Sequence, residues 1–186
     1  MNQLESAFQM FGFSDNDVLE ISKCFVLNHY KKGELFIKNG VLADYLGFVE
    51  NGMFRFYFDN EAEEITTYIA LKNDFILSVQ SFFANQTAKD NIKALVDSEV
   101  WIIKKSDFVE LNNKIIGFNG FYISVLERLL VCLDESRFSY IALTPEERYA
   151  KLLKEKPEFI LQVPLKYLSA LIGVTPRHLS RLRNNI

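Results

Sequence analysis

Histidine and cysteine are scarce in this chain, with two of each among 186 residues. His29 and His178 lie far apart and offer no clustered set of metal ligands, which disfavours a metalloenzyme. Cys24 and Cys132 are embedded in the apolar runs Phe25-Val26-Leu27 and Leu130-Val131-Leu133. They read as two buried free thiols of a reducing compartment and not as a disulfide. No apolar run approaches the ~18 residues of a membrane-crossing helix. The opening Met-Asn-Gln-Leu-Glu-Ser has neither the charged nor the apolar region of a signal peptide. A cytoplasmic protein without a membrane partner is therefore expected.

Acid is missing from one end. Residues 159–186 contain no Asp or Glu but carry Lys166, Arg177, Arg181 and Arg183, a local charge of +4. The whole chain stands at −3, so the remaining residues hold −3 minus +4, or −7. A small basic module on an acidic body is the charge pattern of a nucleic-acid-binding end. A basic face that is merely solvated would give the same count. Hydrophobic residues, by contrast, are plentiful at 49%, including 17 Phe and 8 Tyr. They supply a core for one large domain, or for one ordinary domain and a small second one.

The first stretch, Leu4 to Ile21, reads as two short helices, the second opening on Ser14-Asp15-Asn16-Asp17. From Cys24 to about Val109 the character turns to β. Glu34 to Ile37, Tyr45 to Val49, Met53 to Phe58, Glu64 to Ile69, Ile92 to Val96 and Val100 to Ile103 are strand-length and rich in aromatic and β-branched residues. Lys32-Gly33, Asn39-Gly40, Asn51-Gly52, Asp59-Asn60 and Asn73-Asp74 punctuate them roughly every ten residues, the rhythm of an antiparallel sandwich or jelly-roll barrel. Arg55 interrupts one apolar strand. His29 reads as a strand histidine hydrogen-bonded to its surroundings. Phe75 to Asp90 is less regular and is the expected pocket-lining segment, and Ser106-Asp107 is expected to cap a short helix.

Helical spacing returns from Phe118 to Ile141. Tyr122, Val125, Leu129 and Cys132 form one apolar stripe, with Ile123, Leu126, Leu130 and Leu133 beside it. Two adjacent stripes exceed what one barrel face covers, so a two-fold dimer seam is expected along this helix, with a single buried helix as the alternative. Thr144-Pro145-Glu146-Glu147 is a capped helix start, and that helix should stop near Lys156-Pro157.

The segment from Val163 to Arg183 has the ingredients of a helix-turn-helix. Ser169 is small where a second helix would cross, Gly173 suits a turn at positive φ, and Thr175-Pro176 caps the next helix. In that helix Leu179, Leu182 and Ile186 share one face, opposite Arg177, His178, Arg181 and Asn184. A donor-rich face at a helix N-terminus fits the major groove, where Arg forks onto guanine, and the N-terminal amides suit a phosphate.

Over nearly its whole length the chain resembles the Crp/Fnr family of bacterial regulators, which includes the cyclic-AMP receptor protein. Lys32-Gly33-Glu34, Gly40 and Phe48 to Arg55 resemble the family's first strands and turns. Asn73 to Ile76 is similar to the entry of its ligand segment, Phe118 to Ile141 to its dimer helix, and Leu168 to Arg183 to its helix-turn-helix. The resemblance implies an α+β fold: an antiparallel jelly-roll barrel with flanking helices over 1–115, a dimerisation helix over 116–142, and a helix-turn-helix domain over 143–186 without a complete wing. It also implies a transcription regulator, not an enzyme, that reads a pseudo-palindromic operator in double-stranded DNA as a homodimer, with RNA polymerase as a further partner. The residues that would meet DNA are Thr175, Arg177, His178, Ser180, Arg181 and Arg183.

Departures from the family are as informative. Leu77-Ser78 stands where the family carries a Gly-Glu pair for the ribose, and Ala88-Lys89 where it carries an Arg-Ser pair for the cyclic phosphate. Losing the Arg removes a contact commonly worth about 1.5–3 kcal/mol. Ser78, Ala88 and Lys89 therefore mark a ligand segment that does not suit cyclic AMP in the usual mode. Two cysteines fall short of an Fnr-type iron-sulfur centre, and no cofactor is expected. Pro176 takes the place of a base-reading Arg and Arg177 that of a Glu, so the operator should differ. The alternative is a ligand-binding or protein-interaction module without sequence-specific DNA binding.

Overall fold

A computed structural model describes residues 1–60 and 63–184. The elements run α1 (Gln3–Met10), α2 (Asp15–Lys23), β1 (Val26–Tyr30), β2 (Leu35–Ile37), β3 (Tyr45–Asn51), β4 (Met53–Asn60), β5 (Glu63–Leu71), β6 (Phe75–Ile76), α3 (Val79–Ala84), β7 (Asn91–Ala94) and β8 (Ser98–Lys104). Then come α4 (Lys105–Lys114), α5 (Phe118–Ala142), α6 (Pro145–Glu155), α7 (Pro157–Gln162), α8 (Leu165–Ile172) and α9 (Pro176–Asn184). The chain divides into two compact units, Met1–Tyr122 and Ile123–Ile186.

In the first unit the strands form two four-stranded antiparallel sheets, β1-β8-β3-β6 and β2-β7-β4-β5. This is the expected jelly-roll arrangement. Gly33, Gly40, Gly52 and Asn73 all take positive φ at the turns read from the sequence. Asp59-Asn60 leads into residues 61–62, outside the described residues. Between the sheets lies an apolar core that includes Phe36, Val49, Phe54, Ala70, Ile76, Ile92 and Val100. The Phe36 ring meets Tyr30, Tyr45 and Phe54 edge-on at centroid distances of 5.7, 5.3 and 6.1 Å, a geometry that favours packed aromatic rings. The Tyr45 hydroxyl donates to the Phe36 carbonyl at 2.8 Å, so its polar tip is satisfied within the core.

The helices at the chain start are fastened to this barrel by polar and aromatic contacts. The Gln3 amide donates to both Glu50 carboxylate oxygens at 2.9 and 3.0 Å, and the Trp101 indole donates to Glu50 at 2.9 Å. Phe8 packs against Phe25, Phe118 and Phe121. Ser14 caps α2 as expected, accepting from the Asp17 amide.

Several expectations need correction. The irregular segment Phe75 to Asp90 contains β6 and the helix α3. Ser106 does not cap α4: Lys104 occupies the cap position, and the Ser106 hydroxyl donates to its neighbour Asp107. Lys156-Pro157 ends α6 but also opens α7, because proline is tolerated in a helix's first turn. The two thiols are free but not both buried. Cys24 is half-buried, donating to the Glu20 carbonyl with its ionisation opposed chiefly by burial, and Cys132 is exposed. Cys132 sits among apolar neighbours, but on a helix that lacks cover there.

Gly52 illustrates how tightly the barrel turns are determined. Its φ is +113°, and a Cβ placed there would stand 2.8 Å from Ser98 Cα. Gly52→Ala should therefore lower stability by about 1–3 kcal/mol through backbone strain and overpacking. Urea unfolding followed by circular dichroism checks it.

Candidate nucleic-acid interface

The second unit builds the interface from short capped helices. Thr144 caps α6 with a complete capping box, its hydroxyl accepting from the Glu147 amide while Glu147 accepts from the Thr144 amide. That pairing holds the Glu147 carboxyl below its ordinary value. α8 ends on Gly173 at φ +80°, whose amide donates to Ser169 O at 3.0 Å. Ser169 is buried and its hydroxyl donates to Lys166 O at 2.9 Å, so the small residue expected at the crossing satisfies its own polar atom. Thr175 then caps α9, accepting from the His178 amide at 3.2 Å.

The two faces of α9 differ sharply. Leu179 is 0% exposed and Leu182 half-buried, whereas Arg177, His178, Ser180, Arg181 and Asn184 all face solvent. Ile186, expected to continue the apolar face, lies outside the described residues. Thr175, Arg177, His178, Ser180 and Arg181 thus come together on one exposed, acid-free surface of this helix. Arg183 is partly committed elsewhere, donating to Ile160 O at 3.2 Å. One carboxylate not singled out from the sequence borders the surface: Glu146 Oε1 lies 3.1 Å from His178 Nε2. Only the fold brings together residues so distant in sequence.

The ligand segment is organised differently from a nucleotide clamp. Ala88 is 1% exposed and its methyl belongs to the barrel core. Its amide and carbonyl pair with Val41 O and the Gly40 amide at 2.9 and 2.8 Å. Lys89 is exposed. Ser78 is buried at the start of α3, with a hydroxyl that meets no hydrogen-bond geometry among the described residues. It nevertheless lies near Asp90, whose carboxyl is pushed up by burial and drawn partly back by its own backbone and by Ser78. Ser78, Ala88 and Lys89 therefore do not share one open pocket wall.

A second buried polar group was visible in the sequence only as an interruption. Arg55 Nε donates to Thr66 Oγ1 at 2.8 Å, Nη2 donates to Glu64 O at 3.1 Å, and Nη1 pairs with the Glu64 carboxylate. Its guanidinium lies 4.5 Å from the Tyr57 ring centroid, and Lys93 Nζ lies 4.8 Å from the same centroid. Lys93 is held in its charged form chiefly by Tyr57. This cluster lies across β4, β5 and β7. It is a structural ion pair with cation–π support.

α5 is the third feature. Phe118 and Phe121 are its buried residues. Tyr122 and Val125 of the first stripe are half-buried, and Leu129 and Cys132 are exposed. In the second stripe Leu130 and Leu133 are 68% and 58% exposed. His29, on β1, is likewise exposed, with Nδ1 3.4 Å from Glu99 Oε1. No helix among the described residues is long and apolar enough to cross a membrane.

Comparison with known proteins bears on the fold. Residues 27–114 match the cyclic nucleotide-binding domain family. A CooA variant from Carboxydothermus hydrogenoformans is similar over 100% of this chain and 84% of its own, at 19% identity and a TM-score of 0.74. FixK2 from Bradyrhizobium japonicum is similar over 87% of this chain and 83% of its own, at 16% identity and a TM-score of 0.74. The c-di-GMP responsive global regulator CLP of Xanthomonas campestris is similar over 92% and 91%, at 15% identity and a TM-score of 0.65. No curated protein sequence is significantly similar to the chain. The barrel has the fold of a cyclic nucleotide-binding domain. With its long helix and C-terminal helices, the chain has the fold of the Crp/Fnr regulators, so the resemblance read from the sequence holds for the architecture.

The Arg55 cluster generates a stability test. Its side chain is 4% exposed and that of Glu64 44%, so solvent screens one partner only. Glu64→Ala should cost about 1–3 kcal/mol by stripping a buried guanidinium of its carboxylate. Thermal unfolding of the full chain measures the loss.

Proposed function

We propose that the chain is a Crp/Fnr-type transcription regulator that binds double-stranded DNA as a homodimer and does not respond to cyclic AMP in the usual mode. The observation that carries this reading is the surface of α9. Arg177, His178, Ser180 and Arg181 project to solvent beside the Thr175 cap, while Leu179 fixes the opposite face in the core. Such a helix places charged forks where base edges and phosphates lie, and phosphate contacts add affinity without sequence information. Thr175 and the first amides of α9 suit a phosphate, Arg177 and Arg181 suit base edges or phosphates, and Ser180 adds a short donor. His178 exchanges Glu146 for a phosphate on binding, and Arg183 adds a backbone contact while one of its nitrogens stays on Ile160 O.

The dimer reading rests on α5, whose two apolar stripes are exposed from Leu129 onward. Pairing α5 with its copy would bury Tyr122, Val125, Leu129 and Cys132 and set two α9 helices about 34 Å apart, one turn of duplex. Contact with RNA polymerase would follow from where the operator lies. That CLP, which shares this fold, is a c-di-GMP responsive global regulator supports the regulatory reading.

On the sensor side, Ala88 puts a methyl in the core where a clamp needs a guanidinium. An Arg in its place would have to displace packed apolar side chains. The barrel therefore fits a scaffold or a receptor for another molecule better than a cyclic-AMP site.

Three measurements test this. Arg177→Ala combined with Arg181→Ala should weaken binding to a duplex selected by the wild type by about 2–6 kcal/mol in total and flatten the salt dependence by up to two phosphate contacts. Unchanged affinity and salt slope, read by fluorescence anisotropy on a protein with intact circular dichroism, would sink the reading. A wild type that selects no duplex from a random pool would instead favour the protein-interaction alternative. Calorimetric titration with cyclic AMP should show no heat of binding, and micromolar binding would overturn the sensor half of the proposal.

A further inference from the structure

Carbonyls from the ends of two helices converge on one guanidinium. Arg148 Nε donates to Ile172 O at 2.9 Å, at the end of α8, and Nη1 donates to Leu143 O at 2.7 Å, just past α5. Ser139 O and Tyr140 O, in the last turns of α5, both lie 3.5 Å from the same Nη1. Helix C-termini leave unpaired carbonyls and carry the negative end of the helix dipole, so a cation between two of them is favoured twice. Tyr140 reinforces the junction. Its ring centroid lies 5.2 Å from the guanidinium carbon, and its hydroxyl donates to Leu171 O.

Gly173 makes the junction close. A Cβ there would stand 3.3 Å from Arg148 Nη2 and 3.8 Å from Tyr140 Cε1, at a φ of +80°. The turn of the helix-turn-helix and the end of α5 are thus joined by directional hydrogen bonds from two side chains. Directional bonds fix an angle where apolar contacts alone would permit sliding. The guanidinium is planar with donors in a fixed fork, which an ammonium cannot reproduce.

We propose that Arg148, with Tyr140, is a positioning residue for DNA reading: it sets the angle at which the helix-turn-helix leaves α5, and hence the separation of the two α9 helices in the dimer. The proposal rests on the dimeric DNA-binding reading above. Loosening the junction leaves each α9 able to meet DNA but no longer holds the pair to one spacing. Half-site spacing is the property at stake, and a merely structural role would not move it in a folded variant.

The test uses the full chain with Arg148→Lys, Arg148→Ala and Tyr140→Phe. Each is titrated against the duplex selected by the wild type and against versions with the half-sites about one base pair closer or farther. The wild type should prefer one spacing. The variants should lose about ten- to a hundredfold on that duplex, the equivalent of one charged hydrogen bond, and bind the three spacings nearly alike. Their dimer mass, circular dichroism and salt slope should stay as in the wild type, and Arg148→Lys should not restore the preference. Variants that keep the wild-type spacing preference overturn the clamp alone. A wild type that selects no duplex overturns the DNA-binding reading and the clamp with it. If Arg148→Ala does not fold, Tyr140→Phe, which deletes a single hydroxyl, decides: relaxed spacing supports the clamp and unchanged spacing overturns it.

Discussion

The constraint from which the organisation follows is the unmet burial of α5. It runs for 25 residues, yet its buried residues lie at its start, in Phe118 and Phe121. Beyond them, Leu130, Val131, Leu133, Phe138 and Ile141 are all exposed. Apolar area in water is unfavourable in proportion to its extent, and a contiguous exposed patch of this kind marks an association surface. The proposed pairing with a second copy answers that requirement. It would also make the helix a shared axis, so that symmetry in the protein would become symmetry in the operator.

The barrel answers the opposite problem, having almost too much to bury. Phe36, Phe54, Tyr30 and Tyr45 interlock edge to face, and Ala88 closes the same core from the ligand segment. A guanidinium brought there would need carboxylate or phosphate partners that an apolar core does not supply. Where the protein does shelter a guanidinium, at Arg55, it places Glu64, Thr66 and Tyr57 around it. The two sites apply one rule: a buried charge persists where its partners are built in, and a methyl persists where they are not.

Much of this was legible in the sequence because it is local. Turn glycines, the Thr144 and Thr175 caps and the apolar period of α5 each act within a few residues, and each appears where the pattern places it. Six of the eight strands among the described residues stand close to where the pattern places them. What the sequence concealed depends on partners distant along the chain. Nothing near Ala88 announces that its methyl enters the core, and nothing near Arg148 reveals that it reaches Ile172 O, across 24 positions. Cys132 was misjudged for a related reason. Apolar neighbours predict burial only if the fold provides something to cover them, and along α5 the single chain does not. α7 was missed because Pro157 reads equally as a stop and as a first turn.

For the proposed DNA-binding role, the carboxylate of Glu146 beside His178 would have a kinetic meaning. A regulator must leave the many duplex segments that it does not regulate, and its search time grows with its dwell on each of them. With Glu146 3.1 Å from its Nε2, His178 would gain a phosphate only by surrendering an existing partner, so a chance encounter would yield little net attraction from that side chain. The net negative charge of the rest of the chain would work in the same direction. In the proposed regulator, residence would be long only where Arg177 and Arg181 find base edges to fork upon, and the acid at the margin of the basic face would act as a release mechanism.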